Sequence, residues 1–168
     1  MKKVVLLVLL SISLSCDDGD LTIETIDFDD ASIMFCESST TIDSDLFFKL
    51  NSTESLILKL QSGILKNEIS EDTIVSSVPS QSQITYRTFS GTISKDYFCD
   101  DIPPLDPVVL QELEAEGGSV KIFTTQSETD TTVFEHNIRL SAISLVNEKG
   151  ERLTDLRINN FGTITTQE

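Results

Sequence analysis

The sequence predicts a mainly β protein: an antiparallel β-sandwich of the immunoglobulin-like, Greek-key type or an open barrel, with one short α-helix near 107–116. Three observations predict it. Apolar residues recur at every second position over most of the chain, which is the period of a half-buried strand. Turn-forming clusters such as Asn51-Ser52-Thr53-Glu54 and Asn147-Glu148-Lys149-Gly150 cut that pattern into short runs, as sandwiches and barrels require. One stretch carries helix punctuation: Asp106 as a cap, Pro107 at the first helical position, the stripe Val109, Leu110 and Leu113, and Gly117-Gly118 as a stop.

The elements follow in order. Leu21 and Ile23 share one parity and Ile26 and Phe28 the other, so a bulge or bend is expected near Thr25. Ile33 to Cys36 is a short apolar segment. Leu46 to Leu50 and Leu56 to Leu60 alternate on either side of Asn51-Ser52-Thr53-Glu54 and read as a hairpin. Residues 61–82 are polar, Ser-rich and weakly patterned, and read as an irregular connection with one short strand. Ile84, Tyr86 and Thr88 begin a strand that Ser90-Gly91 ends. Tyr97-Phe98-Cys99 leads to Ile102-Pro103-Pro104, where proline excludes regular helix and central strand. The predicted helix follows, weakened by Glu112, Glu114 and Glu116 near the negative end of its dipole. Val120, Ile122 and Thr124 alternate. Phe134, Ile138, Leu140 and Ala142 oppose Glu135, Asn137, Arg139 and Ser141, and the apolar phase flips at Ile143 and Leu145. Asn159-Asn160 reads as a turn between Leu156-Arg157-Ile158 and Phe161 to Ile164.

Lys2 and Lys3, the apolar run Val4 to Leu10 and the small residues before Cys16 have the layout of a secretory signal, and the run is too short to span a bilayer. The expected organisation is a cleaved signal peptide over 1–15, a lipidated acidic tether over 16–20 and a single β-rich domain over 21–168. Cys16 is the expected lipidation site, with Asp17, Asp18 and Asp20 as an export tag behind it. Ser13-Leu14-Ser15 also fits ordinary signal peptidase, which would release the protein with Cys16 first. Three cysteines leave one unmatched in an exported protein. Lipidation of Cys16 accounts for it and leaves Cys36 and Cys99 to pair in an oxidising compartment; two buried free thiols are the competing reading.

The formal net charge is −16, which repels nucleic acid and anionic headgroups and keeps an exported domain dispersed. Asp17, Asp18 and Asp20 lack the spacing of a calcium loop. His136 is the single histidine, and its parity places it on the apolar face of its strand as a packed, hydrogen-bonded residue. No nucleophile elbow, phosphate loop, dinucleotide fingerprint or zinc-protease motif occurs. One histidine and three cysteines make a poor zinc set, so no metal or cofactor is expected. Tyr86, Tyr97 and Phe89 are candidate sugar platforms, more simply read as strand packing. Arg139, Arg152 and Arg157 fall in the last third; gathering on one sheet face is one reading, and on an acidic chain cross-strand charge partners are the simpler one. No catalytic residue is singled out.

Ser15-Cys16-Asp17-Asp18-Gly19-Asp20, Phe28-Asp29, Phe35-Cys36 and Tyr97-Phe98-Cys99 with Ile102-Pro103-Pro104 together resemble the small surface lipoproteins common in Bacteroidota. The resemblance implies a lipid-anchored protein on the outer face of the outer membrane and implies no activity. The expected function is a membrane-anchored extracytoplasmic lipoprotein, a non-enzymatic binding or envelope-structural module with a protein or glycan ligand. The alternative is a carboxylate-based glycan hydrolase or an accessory to one.

Overall fold

The computed structural model describes residues 26–147, 149–150, 152–153 and 159–168. The strands are β1 (Leu46–Leu50), β2 (Glu54–Lys59), β3 (Ile74–Ser77), β4 (Gln83–Phe89), β5 (Val109–Gln126), β6 (Val133–Val146), β7 (Arg152–Leu153) and β8 (Asn160–Gln167), with one helical turn, α1 (Asp96–Cys99), between β4 and β5. All eight strands belong to one antiparallel sheet curled into a half-barrel, within the sandwich-or-open-barrel class that the alternation predicts. The path β1-β2-β4-β5-β6-β7 follows chain order, with β3 on β5 and β8 on β6. β5 is long enough to pair β4 with its first half, β3 with its second, and β6 along its other edge.

The helix predicted near 107–116 is not formed; residues 109–126 are strand β5. Leu113 and Ala115 are buried, while Glu112, Glu114 and Glu116 alternate with them on the exposed side. That period of two fits the sheet as well as the apolar triplet fits a helix. In the strand Leu113 lies opposite Tyr86, and Glu112 lies opposite Arg87 and pairs with it. In a helix the three glutamates would crowd the negative end of the dipole, and the tertiary partners decide. The helix that does form, α1, contains Tyr97-Phe98-Cys99 and is a single turn.

Gly117 and Gly118, read from sequence as a helix stop, instead mark register shifts between β5 and β6. Gly118 has φ 118°, and a Cβ there would lie 2.8 Å and 2.9 Å from the carbonyl oxygens of Ser141 and Ala142. Ala142 itself has φ 55°, a conformation rare for a residue with a side chain. This irregularity is the physical cause of the phase flip seen in the sequence: Ile138 and Leu140 are buried before it, Ile143 and Leu145 after it. Gly118→Ala is expected to lower stability by more than about 1 kcal/mol, because the methyl group would meet two backbone carbonyls that cannot move aside as well as Ile143 Cδ1, at a positive φ that disfavours a side chain; urea unfolding measures it.

The inner face of the curl holds the main core, including Phe47, Leu58, Tyr86, Ile122, Ile138 and Phe161. The irregular segment 26–44 fills the seam between β1 and β8. Met34 bridges to Phe48 of β1, Ile33 packs against Gly162 of β8, and Thr40 Oγ1 donates to the carbonyl of Thr165. Ile26 and Phe28 are buried there, in coil and not in the strand that their parity suggests. Lys49 points into the same seam. Its Nζ donates to the Phe28 carbonyl at 2.8 Å and lies 5.9 Å from the centre of the Phe161 ring. Burial pushes its pKa below the ordinary lysine value, and Asp29 opposes that shift.

The β1-β2-β4 half of the sheet is covered on its outer face as well. Phe48 stacks on Phe98 with ring centres 4.6 Å apart, and Phe89 meets Tyr97 edge to face at 5.1 Å. The Cys36–Cys99 disulfide, with Cα atoms 5.2 Å apart, ties the seam segment to α1. Cysteine parity was therefore a sound guide to this pair. Both faces being covered explains why Phe47, Phe48 and Lys49 are buried in succession, against simple alternation. Ser55 is also buried in this half, and its Oγ has no hydrogen-bond partner among the described residues. Ser55→Ala is expected to be neutral or stabilising by up to about 1 kcal/mol, since it removes a desolvated hydroxyl that gains nothing; the midpoint of thermal unfolding checks it.

Candidate functional site

Among the described residues nothing covers the outer face of the β3-β5-β6-β8 half, and its register can be read residue by residue. Val75, Lys121, Arg139 and Asn160 form one row across the four strands, and Phe123, Asn137 and Thr163 form the next across β5, β6 and β8. Directly opposed side chains stand about 5 Å apart at Cβ, and rows on one face are separated by roughly 7 Å. Inward-facing Val120, Ile122, Ile138 and Leu140 on the same strands are buried, so the core holds these outward groups in place.

An open groove of about 760 Å³ lies on this face, lined by Lys121, Phe123, Asn137 and Arg139 with Thr73, Asn159 and Asn160 at its sides. Its described lining contains two cations and no carboxylate. Among the described residues neither Lys121 nor Arg139 forms an ion pair. Arg139 is held from below by its neighbours: its Nε donates to Asn137 Oδ1 at 3.1 Å, and Asn137 Nδ2 donates to Thr163 Oγ1 at 3.2 Å. The guanidinium is thus oriented by Asn137, and Arg139 lines the groove. Phe123 is 40 % exposed, an apolar ring open to solvent.

The expectation that Arg139 serves as a cross-strand partner for an acid is corrected by the register: Arg139 faces Lys121 on one side and Asn160 on the other. Arg152 is exposed on β7 opposite Val146. The sugar-platform candidates are occupied by packing. Tyr86 is fully buried and its hydroxyl donates to Glu54 Oε1 at 2.7 Å, while Phe89 and Tyr97 pack against each other beside α1. Lys121, Phe123 and Asn137 carry no site signal in the sequence alone. Lys121 and Phe123 do share the outward parity of β5 with Thr125, but only the strand register brings Arg139 beside Lys121.

His136 is buried in the core, as its parity predicts. Thr166 Oγ1 donates to Asn67 Oδ1, so the same oxygen accepts from His136 Nε2–H at 2.8 Å. Nδ1 then accepts from the hydroxyl of Thr124 at 2.8 Å. This chain fixes a neutral imidazole, and burial lowers its pKa below the ordinary 6.5. Both ring nitrogens are engaged, which suits a structural group and leaves no lone pair for a metal.

A second hollow of about 470 Å³ lies beside Val109, Leu110, Glu112 and Lys149, and the preceding loop leaves Ile102 and Leu105 exposed. Among the described residues no cluster of three or more His, Cys, Asp or Glu side chains is placed to hold a metal ion, and no helix is long and apolar enough to cross a membrane. Cys16, Asp17, Asp18, Asp20 and Arg157 lie outside the described residues. Comparison of the chain with family models, curated proteins and solved structures finds no match.

Proposed function

We propose that this protein is a non-enzymatic binding module, held by a lipid on Cys16 at the outer face of the outer membrane and offering the groove of β3, β5, β6 and β8 to a ligand outside the cell. The observation that carries this reading is the Lys121–Arg139 pair. Like charges directly opposed across two strands destabilise a sheet, and on a chain of net charge −16 an acid at either position would be the easier choice. A ligand that neutralises both is the role such a pair suits. The anchor rests on the signal layout, Cys16 and the acidic residues behind it. The hydrolase alternative draws on paired carboxylates, and the groove's described lining supplies none.

A photoreactive amino acid placed at Thr125, on the same face but outside the groove's lining, tests the reading in living cells. The intact protein is expected to capture a surface or extracellular molecule, and charge reversal at Lys121 and Arg139 together is expected to abolish capture. Identical adducts from both forms, or none from either, would overturn it.

A further inference from the structure

We infer that the groove binds a carbohydrate bearing acidic groups, a uronate or sulfated oligosaccharide, with the anion seated between Lys121 and Arg139 and the adjoining sugar ring on Phe123. The inference rests on the binding-module reading and names its ligand class. Four observations point the same way.

The two cations are register partners, close enough for one carboxylate or sulfate to contact both. Asn137 engages Nε of Arg139, which orients the planar fork for a charge-assisted contact at little entropic cost. Phe123 is opposite Asn137 in the next row, roughly 7 Å from the cations, about the step from a sugar's acidic substituent to its neighbour's ring face. An exposed aromatic ring in such a place accepts the apolar face of a pyranose. Apart from Leu140, the remaining lining is amide and hydroxyl: Thr73, Asn137, Ser141, Asn159 and Asn160. Those groups donate to and accept from sugar hydroxyls in either direction.

The form of the site argues against an acidic peptide. Sheets capture peptides along an unpaired edge or in apolar pockets for alternate side chains. Here the cations stand on the face of β5 and β6, both of which are paired on both sides at this point. Phe123 is the one aromatic ring in the described lining. The groove is open and not a closed cavity, so it admits an internal stretch of a polymer as well as its end.

Isothermal titration of the intact mature protein tests the inference with four probes: a hexagalacturonide, a chondroitin sulfate hexasaccharide, the neutral maltohexaose and hexaglutamate. At least one of the two acidic sugars is expected to bind, with affinity falling as salt rises, and maltohexaose to bind at least about tenfold more weakly. Arg139→Gln and Lys121→Gln are each expected to weaken acidic-sugar binding by about tenfold or more, the scale of a lost charge-assisted contact. Lys121→Gln is expected to leave the melting temperature unchanged or raised, because it relieves a like-charge contact. Phe123→Ala is expected to weaken sugar binding and leave any hexaglutamate binding unaltered. Hexaglutamate binding as tightly as either acidic sugar overturns the ligand class, and so does the absence of any sugar binding. In both cases the capture experiment at Thr125 still decides separately whether the groove binds anything at all.

Discussion

Removal of the Cys36–Cys99 bond, by reduction or as the Cys36→Ala/Cys99→Ala double variant, is expected to lower the melting temperature by about 10 °C. The bond joins residues 63 apart in sequence. Closing a loop of that length restricts the unfolded chain by about 4 kcal/mol in the chain-entropy treatment. In a domain of this size each kcal/mol moves the midpoint by about 2–4 °C. The location of the bond supports a full effect. It fastens the segment that fills the seam between β1 and β8 to the turn α1, which covers the outer face of β1, β2 and β4. The stacking of Phe48 on Phe98 is a separate, non-covalent tie to the same turn, so the reduced protein is expected to stay folded at room temperature. Calorimetry with and without reductant is the measurement, and a change below about 3 °C would contradict the estimate.

The second large effect concerns His136. His136→Ala is expected to cost about 3 kcal/mol or more, combining a core cavity with the loss of hydrogen bonds to the buried Thr124 and Thr166. The residue also sets a pH dependence whose sign follows from its environment. Burial lowers its pKa in the folded state below the ordinary 6.5. Above that value both folded and unfolded chains carry neutral imidazole and the shift has no effect. As pH falls through about 6.5 the unfolded chain takes up a proton that the folded chain refuses, so stability declines with a slope of at most about 1.4 kcal/mol per pH unit until the folded pKa is reached. Asp130, whose carboxylate is stabilised by Thr132, has its pKa lowered from an ordinary 3.8, so its contribution is lost only at more acidic pH. Urea unfolding between pH 7.5 and 5 separates the two. His136→Gln, able to donate to Thr166 and accept from Thr124, is expected to flatten the decline in that window. An unchanged decline in this variant would assign the effect elsewhere.

Local signals with a single physical meaning are legible in the sequence. The alternation of Phe134, His136, Ile138 and Leu140 put the histidine inside, and the flip at Ile143 marked the irregularity at Ala142 before any backbone angle was known. A stretch that satisfies two periods at once is not legible in this way. Val109 to Glu116 carries both an apolar triplet at helical spacing and glutamates at every second residue, and its fate depends on Arg87 and Tyr86 in β4, which no local rule contains. The aromatic candidates failed for a related reason. Phe89 and Tyr97 lie on the face that α1 covers, whereas Phe123 lies on a face that nothing described covers, and coverage is a property of the tertiary fold. The groove itself depends on register. A slip of one residue between β5 and β6 would put Lys121 beside a buried position of its partner.

The proposed function requires a protein processed at Cys16 and held at the cell surface to offer that groove. Intact mass measurement of the protein extracted from membranes tests this most directly. The expected species begins at Cys16 and carries the added mass of a diacylglyceryl group. A chain that begins at Cys16 without lipid, or one that retains residues 1–15 in the soluble fraction, would contradict it.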